Sequence, residues 1–335
     1  MTTKTKVLVT GAAGFIGSRL VEELLRQGHE VRAFVRYTSR GGRGWLWELP
    51  RELEAGLEVV FGDIRDERAV REAMLGCDIV YHLAALIGIP YSYLAPRSYV
   101  EVNIGGTLNV LEAARDLETR RVVCTSTSEV YGTALYTPID EKHPLQGQSP
   151  YSASKIAADQ LALSYYRAFA LPVTIVRPFN TFGPRQSARA VIPTIITQAL
   201  SSPRVELGRL DPVRDLVFVN DTAAGFIAVA GCDEAVGEVL NLATGRGVSI
   251  GDLADEILSL IGNDLEIVET DVRRRPEKSE VFELIGSADL VKSRTGWGAS
   301  TPLEQGLVAV SYTHLRAHET QEVISYAVFC LKMGG

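Results

Sequence analysis

The chain has no apolar run approaching the roughly 18–20 residues that a bilayer-spanning helix requires, and it has no excess of positive charge. Lys and Arg number 34 against 41 Asp and Glu, a net charge of −7. That balance offers no electrostatic footprint for nucleic acid or an anionic membrane. Cysteine is scarce. Cys77, Cys124, Cys232 and Cys330 are scattered without metal-ligand spacing, so reduced structural thiols are expected, with no bound metal. Internal repeats and low-complexity linkers are missing. Met1 to Lys6 is polar and runs straight into an apolar segment, so the expectation is a cytoplasmic protein without a signal peptide.

What is present suffices for a substantial core: 335 residues, 46% of them hydrophobic, fit one large domain or two lobes. Lys6 to Thr10 (KVLVT) reads as a buried parallel strand. It enters Gly11-Ala12-Ala13-Gly14-Phe15-Ile16-Gly17, followed by a helical pattern through Leu20, Leu24 and Leu25. Strand, glycine turn and helix in that order make a dinucleotide site, because glycines admit the pyrophosphate and the helix N-terminus supplies amide donors. The glycines are spaced three and three, unlike the two-and-three spacing of the common dehydrogenase fingerprint. Further strands are expected at 31–35, 58–61, 78–83, 121–125 and 173–177, separated by helical stretches. The predicted class is α/β, a Rossmann-type doubly wound parallel sheet with functional residues at the strands' C-terminal ends. A dinucleotide-binding domain over 1–185 is followed by a less regular segment, 186–310, broken by Pro193, Pro203, Pro212 and Pro276. That segment is assigned mainly to a smaller α/β substrate lobe.

Chemistry concentrates in Ser149-Pro150-Tyr151-Ser152-Ala153-Ser154-Lys155 and in Thr125-Ser126-Thr127-Ser128-Glu129. Tyr151 and Lys155, four apart, share a helix face; Ser149 suits the N-cap and Pro150 the first turn. An ammonium near a phenol stabilises the phenolate, so Tyr151 is a candidate base for a substrate hydroxyl. At the end of the second strand, Arg36, Ser39 and Arg40 occur where a carboxylate would select the unphosphorylated ribose. The rule favours NADP, with NAD as the alternative. His82, inside a strand, reads as a satisfied core histidine.

These residues lie within a series of segments: TGAAGFIG (10–17), GDIRD (62–66), YHLAA (81–85), VNIGGTLNVLEAA (102–114), TSTSEVYG (125–132), YSASK (151–155), RPFNTFGPR (177–185), RDLVFVND (214–221) and EVLNLATG (238–245). In this order they resemble the extended short-chain dehydrogenase/reductases, specifically the NAD(P)-dependent nucleotide-sugar epimerases and dehydratases. The nearest in motif are GDP-mannose 4,6-dehydratase and N-acetylhexosamine 4,6-dehydratases. The resemblance covers about the first 310 residues. It implies a nucleotide-diphosphate sugar substrate, a homodimer through the 99–116 and 150–170 helices, and cofactor contacts from Asp63, Ile64, Leu83, Ala84 and Ala85. It implies that Tyr151 deprotonates the sugar C4 hydroxyl, that Thr127 hydrogen-bonds the same oxygen, and that Lys155 orients the nicotinamide ribose. Glu129 stands where dehydratases carry the base that removes the C5 proton, and Ser128 takes the slot that is aspartate in dTDP-glucose 4,6-dehydratases. Asn180, Arg214 and Arg275 resemble diphosphate contacts, although Arg214 and Arg275 could instead pair with Asp215 or Glu277. Arg185 is a further candidate substrate contact, and the tyrosine-rich loop 90–93 is expected over the sugar.

The expected reaction is a 4,6-dehydration: oxidation at C4, loss of water across C5 and C6, and reduction at C6. UDP-glucuronate decarboxylation or 4-epimerisation on the same scaffold is the alternative, and a catalytically silent NADP-binding regulatory or scaffold protein is the alternative of another class. Residues 311–335 lack a helical stripe and resemble translated adapter read-through, so they are expected to be non-native. The helical metal-ligand spacing of His314 and His318 is read as chance.

Overall fold

The structure, a computed structural model, describes residues 5–39, 41–271, 276 and 279–311. Seven strands form the main sheet: β1 (Lys6–Thr10), β2 (Glu30–Arg36), β3 (Leu57–Gly62), β4 (Ile79–His82), β5 (Arg121–Thr125), β6 (Val173–Pro178) and β10 (Val239–Leu242). Between and after them come β7 (Asn180–Phe182), β8 (Val205–Leu207), β9 (Val213–Phe218), β11 (Gly247–Ser249), β12 (Ile267–Glu269) and β13 (Glu283–Leu284). All main-sheet pairings are parallel, in the order β10-β6-β5-β4-β1-β2-β3. The six strands expected from sequence match to within one residue at each end. They were legible because a parallel sheet covered on both faces demands near-continuous apolar runs. Alternate residues of β1 feed opposite cores. Val7 and Val9 pack with Leu20, Leu24 and Phe226, and Leu8 packs with Val80, Leu111 and Val122.

The seventh strand comes from the segment assigned to the lobe. After β9 the helix Val219–Ala230 buries Ala223, Phe226 and Val229 in the main core, and β10 then pairs with β6. The lobe is therefore built from pieces on either side of this return. β7, β11 and β13 join β9, β8 pairs with β12, and a separate core gathers Phe182, Ile195, Leu207, Leu253 and Leu307. Phe15 and Ile16 pack against that core, bringing the glycine turn to the lobe. Asp215, buried in β9, accepts from the backbone N–H groups of Thr244, Gly245 and Gly286 and from the Thr244 hydroxyl. One carboxylate thus fixes the loops after β10 and β13. Among the described residues no helix is long and apolar enough to cross a membrane.

Candidate active site

The glycine turn is shaped by close backbone approach. Gly11 has φ of 70°, and a Cβ there would lie 2.8 Å from the Ala84 nitrogen. A Cβ on Gly17 would lie 2.3 Å from the Gly11 carbonyl oxygen. The buried Thr10 hydroxyl accepts from the N–H groups of Leu83 and Ala84, both at 3.1 Å, drawing the end of β4 onto the turn. Gly14 caps the helix Phe15–Arg26 with no side-chain acceptor, so the first-turn N–H groups remain available to an anion. A tight cradle with free amide donors at a helix N-terminus fits a dinucleotide pyrophosphate. Leu83, Ala84 and Ala85 are half-buried at the same edge, and Ile64 is buried against Gly106.

Asp63 is locked by Arg65. Two guanidinium bonds, a backbone N–H and the accompanying charge outweigh its burial and hold its carboxyl at about 2. The neighbouring Asp66 caps the helix Glu67–Met74, accepting from Ala69 N–H. Arg36, the last residue of β2, and Ser39 beyond it are exposed, and the Arg36 charge reaches Asp63. Arg40 and Arg275 lie outside the described residues, as does 312–335.

At the centre of the sheet edge, the helix Pro150–Phe169 starts with the expected cap. Ser149 and Ser152 form a reciprocal capping box and Pro150 opens the first turn. Tyr151 and Lys155 are both buried on its inner face. The Thr127 side chain, at the end of β5, hydrogen-bonds the Tyr151 phenol. Thr127 also caps the short turn Ser128–Val130 by accepting from Glu129 N–H at 3.2 Å. Ser128 is buried, and Glu129 is half-buried with its charge acting on Tyr151. Tyrosine, lysine, threonine, serine and glutamate are thus gathered in one place.

Their electrostatics depart from the expectation that Lys155 depresses the phenol. Burial pushes Tyr151 well above its ordinary range. The Thr127 bond opposes this, while the Glu129, Tyr99 and Asp159 charges add to it. The Lys155 ammonium donates instead to the Thr125 carbonyl. Burial pulls Lys155 down, and the Asp159 carboxylate partly restores it. In this state Tyr151 is protonated, and desolvation is the largest cause.

Other expectations change with the partners seen. Arg185 does not join the sugar side: its guanidinium pairs with Glu22 at 3.1 Å and Glu48 at 3.3 Å, clamping the dinucleotide helix to the segment Gly44–Glu48. Arg214 is buried and pairs with Glu280 at 3.6 Å rather than with Asp215, whose oxygens are taken by backbone donors. Asn180 opens β7 with its amide oxygen buried and lacking a partner among the described residues. The 90–93 stretch is a helix, Ile89–Leu94, rather than a loop. Its Tyr93 hydroxyl meets Ser279 at 2.5 Å, and Tyr99 packs edge-on against Tyr151 with ring centroids 6.3 Å apart. His82 is satisfied as expected, between the Thr10 and Thr107 hydroxyls at 2.9 and 3.0 Å. A cavity of about 520 Å³ lined by Thr137, Gly245, Ser287 and Lys292 opens near the end of β10 and contains none of the catalytic candidates.

Two features escaped the sequence reading. Asn103 lies in a π-helical turn, Val100–Gly105, and its amide holds Leu86 N–H, the Leu86 carbonyl and the Ser154 hydroxyl. Such turns recur at functional sites; here one steadies the catalytic helix through Ser154. Asp159 and Arg177 form a buried pair behind Lys155. An acid four residues past the lysine on the same face was the available signal.

The profile of the GDP-mannose 4,6-dehydratase family matches residues 8–310. The chain belongs to that family. It is an enzyme of the nucleotide-sugar dehydratase and epimerase group within the extended short-chain dehydrogenase/reductases. It is 34% identical over 317 residues to dTDP-glucose 4,6-dehydratase of Streptomyces griseus, covering 92% of this chain and 94% of that one. It is also 32% identical over 313 residues to UDP-glucose 4-epimerase of Streptomyces lividans, covering 88% and 92%. Its structure superposes on DesIV, a dTDP-glucose 4,6-dehydratase from Streptomyces venezuelae with NAD and TYD bound, with TM-score 0.83, 30% identity, and 92% and 96% of the two chains covered. A nicotinamide dinucleotide is therefore the cofactor class, and the glycine cradle fits it.

Proposed function

We propose that this enzyme is a nucleotide-sugar 4,6-dehydratase. The observation that carries the reading is the placement of Glu129. It lies two residues beyond Thr127, on a turn capped by that threonine, close enough for its charge to act on the Tyr151 phenol. Epimerisation needs no carboxylate there, whereas elimination across C5 and C6 needs a base for the C5 proton.

In this reading Gly11, Gly14 and Gly17 hold the pyrophosphate, Asp63 and Ile64 flank the adenine, and Leu83 to Ala85 border the nicotinamide half. A bound nicotinamide supplies the acceptor, and later the donor, of the hydride that leaves C4 and returns at C6. Tyr151, after its own phenol proton has left to solvent, takes the C4 hydroxyl proton as a phenolate whose charge Lys155 steadies, while Thr127 holds the same oxygen. Glu129 removes the C5 proton, acidified by the neighbouring ketone. It then gives that proton to the departing C6 hydroxyl, with the Ser128 hydroxyl beside it in place of an aspartate. C5 takes up a proton as hydride reaches C6, balanced by release of the proton Tyr151 took from the C4 hydroxyl. Asn180 and Arg214 bind the diphosphate, Arg214 exchanging its Glu280 partner for a phosphate fork. Arg36 and Ser39, with no acid beside them on β2, support NADP over NAD. A homodimer through Gly106–Asp116 and Pro150–Phe169 belongs to the same reading, and light scattering tests it.

The deciding experiment is incubation with a panel of nucleotide sugars followed by mass spectrometry. Dehydration removes the mass of one water and decarboxylation that of carbon dioxide; epimerisation leaves the mass unchanged. Glu129→Gln should stall after C4 oxidation, with reduced cofactor accumulating in the near-ultraviolet. Normal turnover by that variant would rule Glu129 out as the C5 base.

A further inference from the structure

Behind the candidate catalytic side chains runs a buried polar chain. Asp159 follows Lys155 by one helical turn, on the stripe that also carries Tyr151. Its Oδ2 accepts from the Ser126 hydroxyl at 2.8 Å and from Arg177 Nη2 and Nε at 2.9 and 3.2 Å. Arg177, on β6, also donates to the Tyr131 hydroxyl at 3.0 Å, and that hydroxyl donates to Asn241 of β10 at 2.7 Å. Ser126, Asp159, Arg177, Tyr131 and Asn241 are each at most 4% exposed.

A stability role does not account for this arrangement. Replacing a buried ion pair by apolar groups of similar volume is often neutral or stabilising. What the chain does join is functional geometry. Ser126 precedes Thr127, Tyr131 follows the turn carrying Glu129, and Asp159 belongs to the helix of Tyr151 and Lys155. We infer that Asp159 and Arg177 are positioning residues of this site. Their buried pair holds the Lys155 ammonium at the Thr125 carbonyl and fixes the Tyr151 helix against the Thr127–Glu129 turn. The inference deepens the proposed function and rests on Tyr151 and Lys155 being its redox centre.

The charged surroundings give this pair a distinct signature. Facing Lys155 are Asp159 from its own helix, the Thr125 carbonyl and Cys124 from β5, and His82 from β4. Burial pushes the Cys124 thiol up to about 12 and His82 down to about 3, so both are uncharged near neutrality. Arg177 faces Asp159 from β6, while Glu129 and Tyr99 face Tyr151. Asp159 raises both Lys155 and Tyr151. Removing its charge lowers both.

Asp159→Asn, which keeps the side-chain shape, should therefore move both limbs of the pH–rate profile to lower pH. A purely structural role would lower turnover without moving either limb. A crystal structure of the variant supplies a reading that needs no substrate: the Lys155 amine should have left the Thr125 carbonyl. Because a lone unpaired Arg177 endangers folding, the double variant Asp159→Leu, Arg177→Met is the companion test. It should unfold near the wild-type temperature yet turn over at least about a hundredfold more slowly. Fixed pH limbs, an unmoved Lys155, or near-normal turnover by the double variant would each overturn the inference. Failure of the wild-type enzyme to dehydrate any nucleotide sugar would instead refute the proposed function, leaving the crystallographic reading to decide this one.

Discussion

Alanine scanning of the three turn glycines tests whether the cradle geometry controls cofactor binding. At residue 17 an added Cβ would lie 2.3 Å from the Gly11 oxygen and 2.9 Å from its carbon, both backbone atoms that cannot rotate away. Favourable carbon–oxygen contacts begin only near about 3.3 Å. Overpacking by one methyl costs about 1–3 kcal/mol, and an immovable neighbour argues for the upper end. Against this, residue 17 is inside the helix Phe15–Arg26, where alanine gains about 1 kcal/mol over glycine, leaving a net loss of about 2 kcal/mol. Gly11→Ala has no such offset. It meets the Leu83–Ala84 backbone at 2.8–2.9 Å and adds about 1–2 kcal/mol for its left-handed φ, about 4 kcal/mol in all. Gly14→Ala meets only one atom, at 3.2 Å, with φ of −80°, and should lose about 1 kcal/mol or less through its poorer N-cap. Denaturant unfolding should rank the variants Gly11, Gly17, Gly14 from most to least destabilised. NAD(P)H fluorescence titration should show affinity falling at least about tenfold for the first two, a change of about 1.4 kcal/mol. Equal stability and affinity for Gly17→Ala and Gly14→Ala would refute the reasoning.

Two further outcomes can be measured directly. Burial, with help from the Lys155 charge, lowers His82 from 6.5 to about 3, so the native state keeps it neutral while the unfolded chain protonates it below about 6.5. Stability should therefore fall by about 1.4 kcal/mol per pH unit from this group as pH drops from about 6.5 toward about 3. His82→Gln should flatten that slope in urea titrations between about pH 6 and 4, and an unchanged slope would count against the assignment. Arg36→Ala should weaken NADPH binding about tenfold while leaving NADH within about twofold, the signature of a lost charge-assisted bond to a 2′-phosphate. Equal changes for both cofactors would refute the NADP preference.

What was legible from sequence was whatever is encoded locally. Buried parallel strands read as apolar runs, and the Ser149–Pro150 cap announced the helix that carries Tyr151 and Lys155. β10 was assigned to the wrong body because four residues, Val239 to Leu242, carry too little periodicity to show which sheet they join. Asn103 gave no local sign, because its role depends on a π-turn that brings it to Ser154. Arg185 looked like a ligand contact because an arginine after a strand end is chemically suited to one. Its partners, Glu22 and Glu48, are distant in sequence and only the fold brings them together.

The same limit governs the chemistry. A tyrosine and lysine four residues apart can be read as a pair, but the protonation of each depends on what surrounds them. Here burial dominates both groups, and the carboxylates of Glu129 and Asp159 work against a phenolate. The site therefore rests with Tyr151 protonated, so it can act as a base only once its own proton has left and a compensating positive charge is at hand. Lys155 is one source of that charge, and it sits at the Thr125 carbonyl, one helical turn from Asp159. Base strength in this enzyme is thus a property of the assembled complex rather than of the motif. A phenol kept neutral until then avoids a buried anion with no ligand to share it.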